Sequence, residues 1–98
     1  MAELRFEWDS RKASANRRKH GVSFEEAQSV FSDDNALLIP DPDHAPADDR
    51  FVLLGLSATL KTLVVCHCYV EDDEVIRIIS ARKATRSERS QYTERWRP

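Results

Sequence analysis

No apolar run in this chain approaches the roughly 20 residues needed to cross a membrane, and charge begins at Glu3. A signal peptide or membrane anchor is therefore not expected, and a cytoplasmic location follows by default. Glycine is scarce, at two residues, and four prolines and no low-complexity tract leave little room for disorder. Only two cysteines occur, Cys66 and Cys68, one residue apart in a strand-like segment and so on one face. Such a pair rarely closes a disulfide, and two ligands are too few for a structural zinc site. Small core residues of a reducing compartment are the simpler reading. The histidines His20, His44 and His67 are scattered without a shared ligand spacing, so neither a metal nor another cofactor is expected.

What remains is a charged, foldable chain. Its 98 residues, 33% charged and 41% hydrophobic, suit one domain over residues 1–98 and not two. The formal net charge of −2 argues weakly against nucleic acid until its distribution is considered. Ser10 to His20 holds five cations (Arg11, Lys12, Arg17, Arg18, Lys19) and no acid. Arg77 to the C-terminus holds seven cations against Glu88 and Glu94, while acids gather at Asp33 to Asp49 and Glu71 to Glu74. A near-neutral total is thus compatible with a basic face.

Local patterns give the element order. Leu4 to Trp8 alternates as a short half-buried strand. Asp9 or Ser10 caps a helix that runs to His20 and stops at Gly21. That helix has only Ala13 and Ala15 to bury, and Lys12, Asn16 and His20 form a polar stripe along it. A second helix starts at Ser23 with a capping box to Glu26, and Val22 is placed to staple onto Ala27. Its core stripe is Phe24, Ala27, Val30 and Phe31. Ala36 to Ile39 reads as a strand closed by Pro40, and Asp41 to Asp49 as an exposed loop. Strands follow at Phe51–Ser57, Thr62–Val70 and Val75–Ala81. Thr85, with Glu88 in the capping-box position, opens a helix to about Arg97. The expected fold is α+β, a small antiparallel sheet packed on one side by helices, in the order β-α-α-β-β-β-β-α.

Two places carry chemistry. The strand from Ile76 turns, near Ala81, into an arginine-rich helix, so Arg77, Arg82 and Lys83 sit at or beside a buried strand end. Rigid guanidinium groups there suit phosphate binding and charge stabilisation. The plainer reading makes Arg77 a water-facing strand residue and the others caps. His67 interrupts the run Leu63 to Tyr69, on the face of Leu63, Val65 and Tyr69. If residue 70 faces 75 across the hairpin, His67 lies opposite Ile78 and shares its face with Ser80 and Arg82. A one-residue shift places it opposite Arg77. A histidine beside an arginine has the ingredients of RNA cleavage. The plainer reading is a buried histidine bonded to backbone or to Tyr69.

Trp8-Asp9, Lys12, Asn16, Lys19-His20-Gly21-Val22-Ser23-Phe24, Arg50-Phe51, Arg77 through Ala84, Glu88-Arg89 and Tyr92 together resemble the BrnT family. These are small toxins of type II toxin–antitoxin systems, related in fold to the RelE ribonucleases. The resemblance implies a ribonuclease that cleaves RNA without metal and inhibits translation. It implies a BrnA-like antitoxin with a ribbon-helix-helix domain, and repression of operator DNA only through that antitoxin. On this footing Arg77 and Arg82 become phosphate clamps, Lys83 a further phosphate contact and His67 a proton shuttle. Lys12, Lys19, His20, Arg89 and Tyr92 become RNA contacts. Tyr92 reads equally as a core anchor, Asp9 as a helix cap, and Asn16 as a pin between helix and sheet. A non-catalytic RNA- or protein-binding module, acting only as a regulatory partner, is the alternative function.

Overall fold

The computed structural model describes residues 4–41 and 49–94. The elements are β1 (Arg5–Glu7), α1 (Ser10–His20), α2 (Phe24–Ser29), a 3₁₀ turn (Val30–Ser32), β2 (Leu37–Pro40), β3 (Arg50–Leu56), β4 (Thr62–Val70), β5 (Val75–Lys83) and α3 (Arg86–Glu94). This is the expected order with a 3₁₀ turn added after α2. The centre of the expected loop, residues 42–48, and the end of the last helix, including Arg95 and Arg97, lie outside the described residues.

The caps form as their chemistry demands. Asp9 accepts from the N–H groups of Arg11 and Lys12, and Gly21 closes α1 at φ 71°, a conformation glycine adopts without a Cβ penalty. Ser23 Oγ accepts from the Glu26 N–H, but the box is not reciprocal. The Glu26 carboxylate turns instead to the hydroxyls of Ser57 and Thr59, tying α2 to the β3–β4 turn. At α3 the box is complete: Thr85 N–H donates to Glu88 Oε1 at 2.8 Å, and Glu88 N–H to Thr85 Oγ1 at 3.2 Å.

The sheet has the order β1-β5-β4-β3-β2. β2 to β5 are antiparallel neighbours, but β1 joins β5 in parallel, so the sheet is mixed and not antiparallel throughout. A parallel pair needs a long crossover, and the whole chain between β1 and β5 supplies it. Nor do the helices share one side. Val22, Phe24, Ala27 and Val30 pack with Leu53, Leu63, Val65, Ile78 and Ala81 on one face. Tyr92 and Ala84 pack with Val52, Leu54 and Val64 on the other. The terminal helix covers the second face because Tyr92 is its only buried residue. Its hydroxyl donates to Asp33 Oδ2 at 2.5 Å.

The β4–β5 hairpin takes the register in which Val70 faces Val75 and His67 faces Ile78. Beyond that the register shifts: Cys66 faces Ser80, leaving Ile79 as the extra residue of a bulge. The bulge inverts the facing of everything after it. Arg82 therefore pairs with Val64 on the α3 face, and Arg77, opposite Cys68, lies on that face too. The expectation that an arginine shares the face of His67 fails for this reason.

α1 is attached by one polar side chain. Buried Asn16 donates to the carbonyls of Ala81 (2.8 Å) and Val22 (3.0 Å) and accepts from the Ala81 N–H (3.0 Å). Asn16→Ala would strand three buried backbone groups at a cost of about 1–3 kcal/mol each, reduced by whatever water reaches them. A loss of about 3 kcal/mol in urea unfolding is the expected outcome. A loss below about 0.5 kcal/mol, the scale of an ordinary surface change, would show that the amide does not hold the helix.

Candidate active site

Two arginine–carboxylate pairs stand on the α3 face of β5. Glu7, facing Arg77 across the parallel pair, accepts from Arg77 Nε at 2.6 Å and lies 2.5 Å from Nη2. This pairing holds the guanidinium still more firmly protonated. At the strand end Arg82 meets Glu88 through two parallel bonds of 2.8 and 3.0 Å. Those bonds hold the Glu88 carboxyl down to about 2, against the opposing effect of partial burial. Glu88 thus has two tasks, capping α3 through Thr85 and orienting Arg82. Both arginines keep about half of their side chains exposed, 52% for Arg77 and 42% for Arg82.

β1 ends at Glu7, and Asn16 takes up Ala81, so Ile78 and Ile79 lie in the gap between. There the surface dips into a depression of about 330 Å³, lined by Glu7, Trp8, Asp9, Lys12, Arg77 and the two isoleucines. Lys12 and Arg77, distant in sequence, are brought to one place by the parallel strand. Glu7 was not among the residues nominated from sequence. Nothing local marks it, because its role follows from which strand β1 joins.

The other nominated residues disperse. His67 is 0% exposed, which corrects its assignment as a proton shuttle. Its Nδ1 meets the Val65 carbonyl at 3.1 Å and its Nε2 the Tyr69 hydroxyl at 3.2 Å, within a ring of Phe31, Phe51 and Tyr69. Neither nitrogen is left for a substrate. Tyr92 is 5% exposed and cannot stack a base; the core-anchor reading is the correct one. Lys83 is exposed, on the opposite face from Arg82 and within electrostatic reach of Glu26. Lys19 is exposed and His20 half-buried at the end of α1. Arg89 lines a shallow depression with Arg86 on the outer side of α3.

Cys66 and Cys68 are free and half-buried. Burial, with a hydrogen bond to Asp41, pushes the Cys66 thiol up to about 11, so it is a poor nucleophile. Asp41 is itself buried rather than exposed as its loop position suggested. Among the described residues no three His, Cys, Asp or Glu side chains are grouped to hold a metal ion, and no helix is long and apolar enough to cross a membrane.

A family model described as "Ribonuclease toxin, BrnT, of type II toxin-antitoxin system" matches residues 8–88, which include Lys12, Arg77, Arg82, Lys83 and Glu88. The fold is similar to the crystal structure of the Brucella abortus ribonuclease toxin BrnT, with a TM-score of 0.67 and 24% identity, over 86% of this chain and 100% of that one. Among curated proteins, none matches.

Burial lowers the His67 pKa from its ordinary 6.5. Its contribution to stability is then fully present above about pH 6.5 and declines as pH falls from there toward the lower folded value, because the unfolded chain binds the proton first. Urea unfolding between about pH 7.5 and 5.5 should show this decline, and His67→Phe, though less stable, should show a flatter one. An unchanged slope in that variant would contradict a neutral, buried imidazole.

Proposed function

The chain belongs to the BrnT family of ribonuclease toxins of type II toxin–antitoxin systems, and from that premise we propose a metal-independent endoribonuclease that cleaves RNA and so inhibits translation in the cytoplasm. A BrnA-like ribbon-helix-helix antitoxin holds it silent, and operator DNA is met only through that partner. The whole chain acts as one catalytic domain, and the kinship with RelE ribonucleases is part of the same reading.

The observation that carries the reading is the pair of guanidinium groups on one face of β5, each oriented by a carboxylate from a neighbouring element. Cleavage without metal must spread the growing charge of a pentavalent phosphate over fixed donors. Arg82, held by Glu88 and the Lys83 carbonyl, fixes one positive charge at the start of α3. Arg77 offers another, its Nη1 without a partner among the described residues. Lys12 adds a third cation in the Arg77 depression. Lys19, His20, Lys83 and Arg89 fit outlying contacts to the RNA backbone, which position without specifying. The second reading, a non-catalytic binding module, draws its support from the burial of His67, which removes the expected proton carrier.

Expression without the antitoxin should arrest growth, and co-expression should relieve it. RNA cleavage should persist in EDTA. Arg77→Ala and Arg82→Ala should each slow cleavage by roughly two to three orders of magnitude, the scale of one lost charge-stabilising group. Arg82→Ala should also cost about 1 kcal/mol of stability, as loss of a half-exposed ion pair does, while the protein stays folded and bound by its antitoxin. Wild-type rates in both variants, or cleavage lost in EDTA and restored by Mg²⁺, would defeat the mechanism. Tight RNA binding with no cleavage at all would select the binding module.

A further inference from the structure

With His67 buried, a metal-free ribonuclease needs another group to take the proton from the attacking 2′-hydroxyl. The described carboxylates near cations can be sorted by what already occupies their oxygens. Glu88 has both on Arg82, one of them also on the Thr85 N–H. Asp33 accepts from Asn35, Leu56 and Tyr92. Glu26 holds Ser57 and Thr59 through its Oε2, and Glu71 and Glu74 meet Arg5 at the exposed β4–β5 turn, outside the depression. Asp9 caps α1 through its Oδ1, which accepts from the Arg11 and Lys12 N–H groups, and so is held by the helix it starts. Asp9, Glu26 and Glu7 each leave one oxygen without a partner among the described residues, and of the three Glu7 is the one bound directly to a guanidinium of the depression. Only its Oε2 is engaged, by Arg77, and its Oε1 has no partner among the described residues.

We infer that Glu7 is the general base of RNA cleavage, acting in the depression it shares with Arg77 and Lys12. The inference rests on the ribonuclease reading and assigns its missing proton acceptor. A phosphate seated on the outer edge of the Arg77 guanidinium would lie beside the carboxylate bound to Nε of the same planar group. One rigid fork would thereby hold the base and the reacting phosphorus in fixed relation. In the step, the 2′-hydroxyl proton passes to Glu7 Oε1 as the O2′–P bond forms. The P–O5′ bond breaks with its electron pair on O5′, which takes a proton from water entering the open depression. Glu7 then returns its proton to solvent. Arg77 and Lys12 bear the charge of the pentavalent phosphate. The products are a 2′,3′-cyclic phosphate and a 5′-hydroxyl, and no oxidant, metal or second substrate is consumed.

The test follows RNA oligonucleotide cleavage in EDTA by the wild-type chain, Glu7→Gln, Glu7→Asp and Asp9→Asn, across the pH range in which the wild type is folded. Glu7 is partly exposed on an edge strand, so the Gln variant should fold, and circular dichroism checks this. Glu7→Gln should lower kcat by about 10²–10⁴-fold, the usual worth of a general base. KM should stay unchanged or fall, because a negative charge beside the phosphate site is gone, and the acidic limb of the pH–rate profile should disappear. Glu7→Asp should recover part of the rate and the limb. A Glu7→Gln enzyme with wild-type kcat, or with raised KM and an intact acidic limb, would overturn the assignment and make Glu7 only a positioning residue for Arg77. Loss confined to Asp9→Asn, or products ending in a 3′-hydroxyl, would overturn it as well. A folded wild-type chain that cleaves no RNA would instead overturn the ribonuclease reading beneath it.

Discussion

Among the described residues the outer edge of β5 has no strand beside it beyond Arg77, and a single amide side chain stands in for one. Asn16 gives Ala81 a donor and an acceptor, as a neighbouring peptide would, and spends its other N–H on Val22. That arrangement fixes a helix with almost no apolar surface, since Asn16 is the one buried residue of α1. A cationic helix would ordinarily drift from a sheet edge, because like charges repel and little hydrophobic area opposes them. Held by three bonds in a buried setting, it keeps Lys12 at a set distance from Arg77. The same pin closes one end of the gap at Ile78 and Ile79 in which the candidate site lies. Stability and site geometry therefore depend on the same amide.

The bulge at Ile79 makes the second decision. Without it, strand alternation would turn Arg82 toward Leu63 and into the first core, where an unpaired guanidinium is intolerable. With it, Arg77, Ser80 and Arg82 all face the α3 side. Arg82 then meets Glu88 at the start of α3, and the capping box that begins the helix also seats the arginine. His67 is left among aromatic rings and has a structural task. Bulges often re-aim side chains beside active sites, and here one parts the arginines from the histidine.

What the sequence revealed was local. Caps at Asp9, Ser23 and Thr85, the stop at Gly21 and the pinning role of Asn16 are legible in residue types and short spacings, and all are observed, whereas the β4–β5 register stayed open between two alternatives. The errors all involve partners distant in the chain. Periodicity says that residues 4–8 form a strand but not that it runs parallel to β5, so the Glu7–Arg77 pair stayed hidden. A one-residue bulge leaves no mark in a β-branched run such as Ile78-Ile79. Glu26 stood in a perfect box position, yet two hydroxyls from the β3–β4 turn made better donors than the local N–H. Tyr92 and His67 showed that a functional residue type in a suggestive place is decided by burial, which neighbours set.

Arginine–carboxylate pairs at this exposure contribute little to stability, because solvent screens them and ordering two long side chains opposes the gain. Their value lies elsewhere. A free arginine on a strand samples many rotamers, and each phosphate it meets must arrest that motion before charge is stabilised. In the proposed reaction Glu7 and Glu88 would remove that cost in advance, since each already holds its arginine in one orientation. They also reconcile a chain of net charge −2 with a polyanionic substrate. The carboxylates that lower the total charge are, at these two positions, the groups that aim the cations. A surface of unpaired arginines would bind RNA more tightly, but it would hold ground state and transition state alike, and tight binding of that kind does not speed a reaction. Glu88, held down to about 2 by its bonds to Arg82, is an anion at neutral pH with both oxygens spent on that arginine. Glu7, bound through one oxygen only, leaves the other without a partner among the described residues. The two pairs look alike in charge and differ in what their carboxylates are free to do.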